Sequence, residues 1–301
     1  MNKINLPSTR FEVTKEFLND RIQEGVNELF GGSLNDDYKL YLKKELKELE
    51  KAPKEWTSYL LIASDMINEV RKSNPNGIGG GLGHICGSLI AYLLRLTSTD
   101  PILYNLSFYQ LYSNRSIMPV PTIDFYMSTN AKISAIKYLQ KEYGKFNVWI
   151  PCINPSRRKT PHAAAVVISP SKVKCSASTY LRGEKLPISD MSSREAEKAG
   201  FIKFNIVVSS LLNEIEEILI KSNKTLSDIP CPFSLTKEKL NSILQNKNTY
   251  FSRLTNSCIN KYFSSSMNKY IDGRAFVYGK MFLRELDKKE IEYILNRHKI
   301  F

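Results

Sequence analysis

The chain has 301 residues, 42% of them hydrophobic and 24% charged, with a formal net charge of +13 and a pI near 9.4. That is ordinary globular composition with room for one large or two modest cores, and it excludes a disordered or fibrous chain. The basic surplus suggests nucleic acid or another polyanion, although a lysine-rich composition alone accounts for part of it.

Five cysteines are present, Cys86, Cys152, Cys175, Cys231 and Cys258, and no two stand as C-x-x-C. With only three histidines, neither a zinc site nor a disulfide framework is expected, and the thiols fit a reducing compartment. No run approaches the roughly 18 apolar residues of a membrane span. Met1-Asn-Lys-Ile-Asn-Leu-Pro7 is not followed by a signal core. The expectation is a cytoplasmic chain with no membrane partner and no resident metal.

Taken in order, residues 14 to 30 read as an amphipathic helix, with Phe17, Leu18, Ile22, Val26 and Leu29 at helical spacing and Gly31-Gly32 as its stop. Residues 35 to 51 read as a second helix, with Leu40, Leu42, Leu46 and Leu49 toward one side. Residues 56 to 72 form a third and more apolar helix, and Asn74-Pro-Asn-Gly77 is a turn. Gly77-Ile-Gly-Gly-Gly-Leu-Gly-His-Ile-Cys-Gly-Ser88 is a glycine-rich loop that opens a helix over 88 to 96. Free amides at such a helix start favour anions, so the loop is a candidate phosphate cradle, though a plain turn reads equally well. Met118 to Phe125 is strand-like, and 131 to 143 is a helix. Residues 145 to 161 are a short connection, and 163 to 168 and 199 to 206 are strands. Residues 209 to 221 form a helix with Leu211, Leu212, Ile215, Ile218 and Leu219 as its stripe.

These segments together resemble the palm region of the bacterial replicative DNA polymerase III alpha subunit, a C-family polymerase. The family pattern runs I-G-P-G-R-G-S-x-x-G-S-L-V-A-Y, then T-D-x-D-P, then M-P-D-x-D-x-D-F. Here Gly79, Gly81, Gly83, Gly87, Ser88, Leu89, Ala91 and Tyr92 keep the loop, and Met118, Pro119, Asp124 and Phe125 keep the strand. His162-Ala-Ala-Ala-Val-Val-Ile-Ser-Pro170 resembles H-A-A-G-V-V-I-S-P, and Ala199-Gly-Phe-Ile-Lys-Phe-Asn-Ile206 resembles A-G-L-V-K-F-D-F. The likeness starts near residue 15 and fades beyond about residue 247.

The resemblance implies an α+β fold: a polymerase-beta-like nucleotidyltransferase palm with helical N-terminal and C-terminal regions. It divides the chain into a helical approach (1–76), a palm-like core (77–206) and a basic helical C-terminal region (207–301) that resembles the start of the fingers. Residues 145–161 stand in place of the family's helical thumb. Residues 221 to 301 hold eleven Lys and four Arg against three Asp and four Glu, so much of the surplus charge lies there.

The departures fall at the chemistry. The family's catalytic carboxylates align with Val120, Thr122 and Asn205; its loop arginine and serine align with Leu82 and His84; a phosphate-reaching arginine aligns with Gln110. Two-metal phosphoryl transfer needs converging carboxylates, because Mg²⁺ prefers charged oxygen ligands. Valine, threonine and asparagine supply no charge, and the retained Asp124 alone is a poor Mg²⁺ site. By strand alternation Asp124 is expected on the same side as Val120 and Thr122. The expectation is therefore a protein without polymerase catalysis and without Mg²⁺. It would bind nucleic acid first and a replisome protein second, modulate replication, and belong to a phage or other mobile element.

The residues that could still meet phosphate are Gly83, His84, Gly87, Ser88, Arg115 and Lys203, with Arg157, Arg158 and Lys159 as a basic cluster for nucleic acid. Plainer readings are a space-filling loop histidine at His84, a hydrogen-bonded Asp124, a half-buried His162 at a strand start and a solvated loop at 157–159. Two alternatives stay open. One is an active nucleotidyltransferase with relocated ligands around Asp124, for which Asp190 and Glu195 are candidates, and which would need Mg²⁺. The other is an interaction protein that does not touch DNA. The partner and the oligomeric state stay open as well.

Overall fold

The computed structural model describes residues 13–81, 83–102, 106–113, 120–121, 123–154, 160–221, 223 and 225. The expectations for Leu82, Arg115, Met118, Pro119, Thr122, Arg157, Arg158, Lys159, Cys231, Cys258 and residues 226–301 lie outside the described residues.

Three helices lead in. Helix α1 (Lys15–Phe30) is capped by Thr14, whose side chain accepts from the Phe17 amide, and ends at Gly31 in the left-handed region at φ 66°. Helix α2 (Asp36–Glu50) is capped by Asn35. Its inward face differs from the leucine stripe expected. Leu40 is 53% exposed, while Tyr38, Tyr41, Leu42, Leu46 and Leu49 pack on the core, with Glu45 buried in their midst. Positions 38, 41, 42, 45, 46 and 49 follow the helical repeat better than the leucines do, and tyrosine serves where a ring and a hydroxyl are both needed. Helix α3 (Glu55–Ser73) is the central strut and is buried over most of its faces.

The glycine loop follows. A single 3-10 turn (Gly83–Gly87) leads into a helix shorter than expected, α4 (Leu89–Leu93). It stops because the chain turns through Arg95 at φ 65°, where the Leu96 amide donates to Ala91 O. Arg71 holds that turn by donating to Arg95 O at 2.7 Å. A one-turn helix, α5 (Tyr109–Tyr112), comes next.

The remaining elements build a six-stranded mixed sheet. They are β1 (Asp124–Met127), α6 (Thr129–Tyr143), β2 (Val148–Cys152), β3 (Ala165–Ile168), β4 (Ala177–Leu181), β5 (Glu184–Ser192), α7 (Ser193–Lys198), β6 (Ile202–Val208) and α8 (Ser210–Lys221). Strand order is β1-β6-β3-β2-β5-β4. β1 runs parallel to β6 and β2 parallel to β5; the other neighbours are antiparallel. The architecture is α+β, as expected.

The sheet departs from the sequence reading as well, with β4, β5 and α7 filling a stretch for which no element was expected. The span 145–161, taken as a connection, carries β2, a fully buried strand in the middle of the sheet. Val-Trp-Ile-Pro-Cys lacks the alternation of a one-sided strand because both of its faces are covered. The main core joins α1–α4, α6 and the inner face of the sheet, where Phe125, Phe204 and Ile206 lie. A smaller cluster of Trp149, Val167 and Ala196 seats α7 on the other face. On α8, Leu212 and Leu219 are buried; the side chains of Leu211, Ile215 and Ile218 lie outside the described residues.

Candidate functional site

The glycine loop lies along the outer edge of β1. Ile78 bridges Met127, the Gly79 amide donates to Tyr126 O at 2.8 Å, and the Ser128 amide donates to Gly77 O at 2.7 Å. Two of the glycines are dictated by close approach. A Cβ on Gly81, which sits at φ 120°, would fall 2.4 Å from Thr97 Oγ1, and one on Gly87 would fall 2.2 Å from Ser107 O. The hydroxyl of Thr97 and the amide of Ser98 both donate to Gly80 O, at 2.6 and 2.9 Å. The loop is therefore a packed ribbon tied to β1 and to residues 97–99.

The helix start beyond it is occupied from within. Glu45 is fully buried, and its Oε2 accepts from the amides of Leu89 and Ile90 at 2.8 and 3.1 Å. Its Oε1 accepts from Ser88 Oγ at 2.5 Å and from the Tyr112 hydroxyl at 3.2 Å. Ser88 Oγ in turn accepts from the Ala91 amide. The first-turn amides of α4, expected to face a phosphate, are thus spent on a carboxylate of the chain itself. Ser88 is 1% exposed and serves that cap, which corrects its place among the phosphate candidates. Gly87 is equally enclosed, its carbonyl accepting from Tyr41. Burial pushes the Glu45 carboxyl up to about 7 against the pull of its donors. The signal that could have found Glu45, and that the leucine stripe obscured, is its helical spacing from Tyr38, Tyr41, Leu42 and Leu49.

His84 stays at the surface, its Nδ1 within 2.9 Å of Gln110 Oε1. The two residues that replace the family's serine and arginine are therefore bonded to each other. A hydrogen bond between the two side chains occupies a place where the resemblance implied phosphate contacts.

The seam between β1 and β6 brings together the other candidates. Asp124 stands directly opposite Asn205 in parallel register, and Asn205 Nδ2 donates to Asp124 Oδ1 at 2.8 Å. Both are half-buried. Two residues back on the same face, Lys203 pairs with Glu197 of α7. Behind the seam, Tyr59 of α3 donates to Lys203 O at 3.2 Å. Val120 is not in strand alternation with Asp124, because β1 begins only at Asp124. Pro121 has no amide to donate to a ladder, and Val120 instead packs against the main core.

Near the seam lies a buried cation that no pattern in the sequence singles out. Lys132 on α6 is 4% exposed, and its ammonium donates to Ala163 O at 2.7 Å and Ile206 O at 2.9 Å. Burial lowers it to about 8. His162 is half-buried at the approach to β3, and its Nδ1 accepts from the amides of Ala164 and Ala165. Desolvation, with Lys203 and Lys132 adding to it, lowers the imidazole below its ordinary value.

Asp190 and Glu195 do not reach Asp124. Asp190 lies on β5, four inter-strand steps from β1, roughly 19 Å at ordinary spacing, and it accepts from Ser176. Glu195 closes a capping box with Ser192 at the start of α7. Among the described residues, no three His, Cys, Asp or Glu side chains come together as a metal site. No helix among them is long and apolar enough to cross a membrane.

Fold and site define an α+β chain in which a glycine-rich ribbon borders a sheet edge carrying one carboxylate. Comparison with known proteins names the relatives. Residues 16–152 match the family model described as the bacterial DNA polymerase III alpha NTPase domain. The chain is 36% identical over 110 residues to the DNA polymerase III subunit alpha of Mycoplasma genitalium, covering 36% of this chain and 12% of that protein. It is 37% identical over 117 residues to that of Ureaplasma parvum, 39% of this chain and 12% of that protein. It is 38% identical over 90 residues to that of Staphylococcus aureus strain MRSA252, 30% of this chain and 8% of that protein. Residues 16–152 are thus a DNA polymerase III alpha-like region, and the match spans about a tenth of these relatives' length.

Proposed function

We propose that this chain is a replication-related protein built on a polymerase-beta-like palm that has lost nucleotidyl transfer and its thumb, and that it acts by binding DNA. The observation that carries the reading is the Asn205–Asp124 hydrogen bond. Two carboxylates facing each other in register repel unless a cation lies between them. An amide donating to the carboxylate satisfies the pair without a cation. Val120 on the core and the His84–Gln110 pair extend the same pattern to the other positions where the family keeps charge. The basic surplus of +13 is the attraction left for a polyanion. A replisome protein that ordinarily meets the alpha subunit is the second partner class, since the retained palm surface would present a similar face to it. Action in the cytoplasm, from a phage or other mobile element, fits such a reduced form.

The test is calorimetric titration of Mg²⁺ or Mn²⁺ with a deoxynucleoside triphosphate into the protein, alongside primer extension and binding to DNA across a salt series. The expected result is no metal-dependent nucleotide binding, no extension, and DNA binding that falls steeply with salt. Extension, or metal-dependent nucleotide binding, overturns the loss of catalysis. Absence of DNA binding at low salt overturns the DNA reading and leaves the protein partner.

A further inference from the structure

The far edge of the sheet from the β1–β6 seam carries a feature that the polymerase likeness does not address. A groove of about 460 Å³ opens between the end of α6, the segment after β3 and the β4–β5 hairpin. Lys145, Lys172 and Lys185 line it, together with Phe146, Ser176 and Ser178. No carboxylate is among its described lining residues. Among the described residues, none of these three lysines is paired with a carboxylate, whereas Lys174 nearby leans toward Asp190 at 4.0 Å.

The aromatic component is equally unusual. Phe146 is 61% exposed and carries the Lys172 ammonium 4.9 Å from its ring centroid. Tyr180 is 66% exposed and lies directly across the hairpin from Lys185. Cross-strand partners share a face, so Tyr180 extends the outward surface that Lys185 and Ser178 contribute to the groove. Phe146 thus lines the cationic trough, and Tyr180 stands on the strand face beside Lys185 that continues it.

Protection of an exposed sheet edge does not account for the lysines. That device places charge on the edge strand itself, and β4, Ala-Ser-Thr-Tyr-Leu, carries none. Lys185 is on β5, and Lys145 and Lys172 are on loops. A trough of unpaired ammonium groups beside exposed rings is what a flexible polyanion with stacking faces requires. A duplex keeps its base faces stacked on one another, and an acidic peptide offers few rings to stack.

The geometry points to this groove as a binding site for single-stranded DNA, with Lys145, Lys172 and Lys185 meeting phosphates and Phe146 and Tyr180 stacking on bases. The inference rests on the DNA-binding reading above and names the surface that carries it.

The test is fluorescence anisotropy of the full chain with a short labelled oligothymidine over a salt series. Phe146→Ala with Tyr180→Ala forms one variant, and Lys145→Gln, Lys172→Gln and Lys185→Gln a second. All five side chains are at the surface, so circular dichroism is expected to show both variants folded. Loss of both rings is expected to weaken binding by roughly tenfold or more, and loss of the three charges to reduce the salt slope by about 2. Binding that neither variant alters overturns the groove and leaves the DNA reading standing. No binding of the wild type to any DNA at low salt overturns both. Tighter binding to duplex, to oligouridine or to polyaspartate overturns the choice of single-stranded DNA.

Discussion

Two carboxylates in this molecule have opposite settings. Glu45 is fully buried and accepts from two amides and two hydroxyls. Asp124 is half-buried at a sheet edge and accepts from one amide side chain, Asn205. The first joins α2, α4 and α5 and is part of what makes the fold. The second sits on the strand that the polymerase likeness singles out, and a neutral neighbour donates to it. An acid enclosed by four donors is a fixed part of the fold, whereas an acid near solvent with a neutral donor across the strand is held far less tightly.

The largest expected effect falls on the first of these. Glu45→Ala leaves the amides of Leu89 and Ile90 and the hydroxyls of Ser88 and Tyr112 without their acceptor in a dry site. The expected loss is about 3–5 kcal/mol in urea denaturation, or failure to fold. Glu45→Gln keeps an oxygen for the amides and a group that Ser88 and Tyr112 can contact, so a far smaller loss is expected. It also isolates a pH effect. Because the folded carboxyl is raised from 4.5 to about 7, the folded state holds a proton there that the unfolded chain has released. Stability from this group is full below 4.5 and is lost as pH rises through that window to about 7. Thermal midpoints at pH 5 and pH 8 should differ less in Glu45→Gln than in the wild type; an unchanged difference would assign the slope to other groups.

Lys132 gives an effect of the opposite sign. Its folded value is lowered to about 8 from 10.5, so the unfolded chain binds the extra proton between those values. Stability from this group therefore rises with pH across that range. Lys132→Met should abolish the rise between pH 8 and 10. At neutral pH it should cost about 1–3 kcal/mol, because the carbonyls of Ala163 and Ile206 lose their donor. A variant that keeps the alkaline rise would show that the lysine is not its source.

The sequence carried the helices well because their stripes and caps are local. Thr14, Asn35 and Gly31 mark ends that the structure reproduces within a residue or two. It did not show β2, since a strand covered on both faces lacks alternation and Pro151 sits within it. It overran α4, because the stop comes from Arg95 in a left-handed turn held by Arg71, which no glycine announces. At the candidate site, the resemblance named Asp124 and Asn205 and nothing in their spacing showed that they face each other. That pairing comes from the parallel β1–β6 register across some eighty residues. Glu45 and Lys132 stayed hidden for a related reason: a charged residue on a helix reads as solvent-facing until its partners on other elements are known.

Asn205→Asp sharpens the comparison between the two carboxylates at the second of them. The substitution replaces an amide donor by a second carboxylate opposite Asp124. Without metal, the pair should destabilise the fold by about 1–2 kcal/mol near neutral pH, because one member must hold a proton or both must repel. The loss should shrink as pH falls and the pair takes up a proton. Mn²⁺ should raise the thermal midpoint of this variant and leave the wild type unmoved, since two facing carboxylates make a weak cation site where one bonded to an amide does not. Primer extension should stay absent, because Val120 packs on the core and supplies no ligand. A wild type stabilised by Mn²⁺ to the same extent would mean that Asp124 finds a cation despite Asn205, and the distinction drawn between the two acids would fail at this seam.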